Sequence, residues 1–103
     1  MAMPLALLIE YLDAQIAEAD RSANAYLAQA AQCRELRRGL ETSLAALRSA
    51  GGDAALEAFL VERIAQAGAA ELANTEAARP YEAEAARHRA ARARLTDIVA
   101  RAP

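Results

Sequence analysis

A chain of 103 residues has the length of one small domain, which excludes multi-domain enzymes and closed barrels. Alanine supplies 31 residues and leaves only 26 larger apolar side chains to build a core, while four glycines, three prolines and four aromatic residues are too few for the turns and strands of a sheet protein. The formal net charge of −2 gives no overall pull toward nucleic acid or an anionic membrane, and the chain reads as all-α.

The opening stretch, Met1 to Ile9, has no cationic start and meets Glu10 too soon for a signal peptide or membrane span, so cytoplasmic residence is expected. A single cysteine, Cys33, cannot close an intrachain disulfide, which fits the same compartment. All twelve basic residues are arginine, a usage expected of a GC-rich bacterial genome.

From Pro4 to Arg48 the chain has no internal proline and is rich in Ala, Leu, Arg, Gln and Glu, so one long first arm, 4–49, is expected. Its apolar pattern has a period of seven. One series runs Leu5, Leu12, Ala19, Tyr26, Cys33, Leu40, Leu47, and the other Ile9, Ile16, Ala23, Ala30, Arg37, Leu44. Alternating spacings of four and three over about six heptads are the seam of a coiled coil. Arg37 is its one breach, expected to snorkel or to pair with a carboxylate across the seam.

Ser49, Ala50, Gly51 and Gly52 interrupt this pattern near mid-chain, and Asp53 is a capping residue, so a tight reversal over 49–53 is expected. The second arm, 54–101, continues the seam through Leu56, Leu60, Ile64, Ala67, Ala70, Asn74, Ala78, Tyr81, Ala85, His88, Ala91, Leu95 and Ile98. Gly68 weakens it, and Pro80 removes the bond to the carbonyl of Glu76, which predicts a kink or break near Arg79 and leaves three helices as an alternative.

Charge orients the arms. Residues 1–20 carry −4, 21–50 carry +3, 51–78 carry −4 and 79–103 carry +3, so an antiparallel fold about Gly51 opposes every block with one of opposite sign. Paired numbers then sum to about 103, placing Leu5 against Ile98, Leu8 against Leu95 and Leu47 against Leu56. Large residues at both ends and alanines between them predict a weak middle. The whole is expected to be one antiparallel two-helix coiled-coil hairpin over 1–103 that assembles into a dimeric four-helix bundle; a swapped dimer would form the same pairs.

No catalytic, cofactor-binding or metal-binding residue is assigned. His88 follows Glu84 by one turn without a second histidine motif, and Cys33 has no histidine beside it in this register; both read as packing or surface residues. Arg87, Arg89, Arg92, Arg94 and Arg101 form the densest basic stretch, but they lie on several helix faces, oppose Glu10, Asp13 and Glu18, and lack interleaved aromatics for base stacking. Gly-rich phosphate loops and Ser/His/Asp sets are absent, so the chain is not expected to be an enzyme.

Phe59, Val61, Leu72, Leu27 and Leu36 fall off the seam, and Val61, Ala65, Gly68 and Leu72 form a second stripe at seam spacing. A two-helix hairpin leaves such a stripe uncovered, so these residues are the expected interface with a second copy or with a partner helix. The expected role is a non-enzymatic interaction module: an adaptor, chaperone or stalk subunit of a bacterial secretion- or export-type assembly. With its mid-chain glycine turn the outline resembles the small Trp-x-Gly hairpins exported by type VII secretion, which implies the alternative of a secreted helical substrate. Here, however, the turn reads Ser49-Ala50-Gly51-Gly52 without tryptophan, and Ala85 stands where that family's export signal has an acid. In heptad-rich form it also resembles stalk and chaperone components of type III and flagellar export machines, and the chain is assigned to no family.

Overall fold

A computed structural model describes residues 4–102, so the outermost residues of the expected 1–103 span lie outside it. Two long helices account for nearly all of them, α1 (Leu5–Ser49) and α2 (Ala54–Arg101), with no strand among the described residues. The arrangement is consistent with a helical hairpin.

The ends of the helices follow local chemistry. Pro4 stands immediately before α1, and its carbonyl accepts from the Leu8 amide at 3.1 Å. At the other end, Gly51 takes a φ of +111° and Gly52 of +77°, conformations that L side chains rarely adopt. This lets the Gly52 amide donate back to the Leu47 carbonyl at 2.9 Å and the Gly51 amide to Arg48 at 3.3 Å, a Schellman closure that satisfies carbonyls the helix would otherwise orphan. Asp53 then caps α2, its Oδ1 accepting from the Leu56 amide at 3.0 Å.

The break expected near Pro80 does not occur, and with it the three-helix alternative falls: α2 runs through Pro80 without interruption. One missing amide bond costs the helix about 3 kcal/mol. Against that stand long runs of good helix formers on both sides and the packing of Ala78, whose exposure is 0%, and Ala85. Gly39 is likewise absorbed into α1, at an exposed position with open space around it.

The chain divides into two compact units, one of Met1–Ala25 with Ala77–Pro103 (the terminal unit) and one of Tyr26–Glu76 (the turn unit). In the terminal unit the buried residues are Leu12, Ala19, Ala23, Ala78, Ala85 and Leu95; in the turn unit they are Ala30, Leu44 and Ala67. All nine lie on the three-four seam read from the sequence. Six are alanines. Of the expected large residues at the ends, Leu95 is buried and Leu8 and Leu47 are half-buried, whereas Leu5, Leu56 and Ile98 remain 44–56% exposed. Alanines lie deepest on the seam, but Leu12, Leu44 and Leu95 are buried as well, so the cover over a leucine varies along the pair.

Candidate interaction surface

In the turn unit, Arg37 leaves the seam through a carboxylate on the opposing helix. Its Nη2 lies 3.1 Å from Glu71 Oε1, and Arg34 Nε donates to Glu71 Oε2 at 3.0 Å. Glu71, with a side chain 19% exposed, is thus held by two guanidinium groups. Arg37 Nε is buried without a hydrogen-bond partner; Glu41 Oε1 lies 3.9 Å from it, an electrostatic contact only. Arg48 pairs with Glu57 across the turn at 3.0 Å. Asn74, also on the seam, donates instead to the Ala70 carbonyl of its own helix at 2.9 Å and makes no tie across it.

In the terminal unit, Arg89 pairs with Asp20 and Arg92 with Asp13. Arg101 is taken by Asp97 at 2.6 Å. Three of the five arginines in the densest basic stretch are therefore engaged by carboxylates. His88 Nε2 lies 3.5 Å from Glu84 Oε1, and Cys33 of the turn unit is a half-buried free thiol. A shallow groove of about 120 Å³ between Gln15, Glu18, Ala19 and Ser22 of α1 and Tyr81 and Glu84 of α2 is too small for an organic ligand. Among the described residues no group of three or more His, Cys, Asp or Glu is placed to hold a metal ion, and no helix is long and apolar enough to cross a membrane.

The five off-seam residues, Phe59, Val61, Leu72, Leu27 and Leu36, are all exposed, and all belong to the turn unit. Helical phase sorts them. Val61 and Leu72 are eleven residues apart, almost three full turns of α2, and share one line with Ala65 and Gly68. Phe59 sits about half a turn round from Val61, where the Arg63 guanidinium lies 5.9 Å from its ring centroid. Leu27 and Leu36, nine residues apart, point to opposite sides of α1. Helical phase thus places Val61 and Leu72 on one line of α2.

A second apolar set was missed in the sequence. Leu7, Tyr11 and Val99 of the terminal unit are exposed, together with the seam residues Leu5 and Ile98. Leu7 and Tyr11 stand at i, i+4 off the seam, a spacing that could have marked them as a face. Compared with known proteins, the chain matches no family model, no curated protein and no solved structure.

Proposed function

We propose that this chain is a non-enzymatic coiled-coil interaction module that self-associates as a dimeric four-helix bundle and holds a helix of a partner protein, in the manner of an adaptor, chaperone or stalk subunit. One contrast carries this reading. Among the described residues, six of the nine that are buried are alanines, while twelve large apolar side chains stand exposed. A buried methyl group contributes about 0.8 kcal/mol and a fully buried leucine or phenylalanine about 1.5–3 kcal/mol, so the exposed portions of these side chains leave part of the apolar free energy unused within one chain. Docking another helix pair would use it.

The test is affinity co-purification from the native host followed by mass measurement of the complex, with Leu72→Glu as the probe. Leu72 is 57% exposed, so its replacement leaves the helix intact, and the reading expects far-UV helicity to be unchanged while the assembly mass falls. An assembly mass unaltered by this charge removes Leu72 from the interface; a solitary, unaccompanied chain removes the reading.

A further inference from the structure

Several features weaken the backbone of α2 at one place, the boundary of the two units between Glu76 and Ala77. Of the i→i−4 bonds that would span this boundary, the one to the Glu76 carbonyl is missing, because Pro80 has no amide to donate. Just before it, Asn74 Nδ2 donates to the Ala70 carbonyl and Thr75 Oγ1 to the Glu71 carbonyl, both at 2.9 Å. Side chains that bond back four residues compete with the helix's own amides for those carbonyls and soften it. On α1 the boundary follows Ser22 and Asn24, both poor helix formers.

Side-chain ties fall on either side of this stretch. Asn74, the seam residue nearest the boundary in the turn unit, bonds to its own helix, and Pro80 is exposed. The terminal unit holds its own segments together through Leu12, Ala78, Ala85 and Leu95 and the Arg89–Asp20 and Arg92–Asp13 pairs. The turn unit keeps the Gly51–Gly52 closure, the Asp53 cap and the Glu71 cluster.

We propose that residues 74–80 are a hinge built into α2, at which the terminal unit opens and recloses as one piece while the turn unit stays shut. A regular helix transmits closing along itself, since each bond forms more readily beside one already formed; the gap at Pro80 interrupts that transmission and fixes where opening stops. The segments 5–25 and 77–101 depend on each other's packing, so they are released together. Opening bares Leu12, Leu95 and the alanine seam, which this unit covers when shut. The device works within one chain and needs no second copy.

The experiment is native-state hydrogen exchange on the full chain over a range of urea concentrations, for the wild type and for Pro80→Ala, which restores the missing donor. In the wild type the amides of 5–25 and 81–101 should share one urea dependence, less protected than 30–49 and 54–73, with the step along α2 between 73 and 81. In Pro80→Ala that shared behaviour should split. Opening can then stop further along α2, so 81–88 and the facing 16–25, joined through Arg89–Asp20 and the groove at Ser22 and Tyr81, should gain about tenfold or more in protection. The outer amides, 92–101 and 5–12, should gain less. The α1 amides are decisive, because a proline acting only on its own helix would not move them. A gain confined to α2, terminal amides that still open as one piece in Pro80→Ala, or wild-type segments that open independently would each overturn the hinge.

Discussion

The turn unit and the terminal unit use the same seam but secure it differently. In the turn unit the two helical segments are joined by a connection of four residues, closed by the Gly51–Gly52 amides and the Asp53 cap, and crossed by the Arg34–Glu71–Arg37 cluster. In the terminal unit the segments belong to opposite ends of the chain. They are held by alanine layers, Leu12 and Leu95, and by the exposed Arg89–Asp20 and Arg92–Asp13 pairs. A short covalent link removes most of the entropy cost of bringing helices together, whereas segments separated by some fifty residues meet that cost with packing and exposed ion pairs. The terminal unit should open first.

The largest effects come from overfilling the alanine layers. Ala78→Leu in the terminal unit and Ala30→Leu in the turn unit place a large side chain where 0% and 1% of an alanine is exposed, and each should lower stability by about 1–3 kcal/mol in urea denaturation. Hydrogen exchange should distinguish them, with Ala78→Leu releasing the amides of 5–25 and 77–101 while those of 40–64 stay protected. Uniform release along the chain would erase the distinction between the units.

Next comes the cluster at Glu71. Glu71→Gln removes the charge shared by Arg34 and Arg37 and leaves a partly buried Arg37 whose Nε already lacks a partner, so a loss of about 1–2 kcal/mol is expected, only partly screened in 0.5 M salt. The smallest effect belongs to Asp13→Asn. Its bond to Arg92 is solvent-exposed, and the loss should stay below about 1 kcal/mol and vanish in the same salt. Equal losses from the two substitutions would mean that the two units carry equivalent charge pairs after all.

Much of this was legible from residue order. The turn was, because two consecutive glycines followed by an aspartate offer both a left-handed exit and a cap. Glu71 was not, because nothing in its neighbourhood along the chain distinguishes it from Glu62 or Glu76; its role arises from Arg34 and Arg37 on the other helix. The surface residues divide the same way. Val61 and Leu72 share a face because they are eleven residues apart, but the ring of Phe59 acquires its cation from Arg63 through side-chain conformation, which spacing does not specify.

The amino-acid order by itself determined which residues could face inward: every buried position falls on the heptad series, because the angular position of a side chain is a property of one helix. Tertiary packing decided how deeply each is covered. Alanines lie deepest, while Leu5, Leu56 and Ile98 stay about half exposed, since burial depends on the distance to a second helix and on whether any third surface closes over the pair. It also decided that α2 continues through Pro80, where the sequence showed the missing bond but not the packing that offsets it.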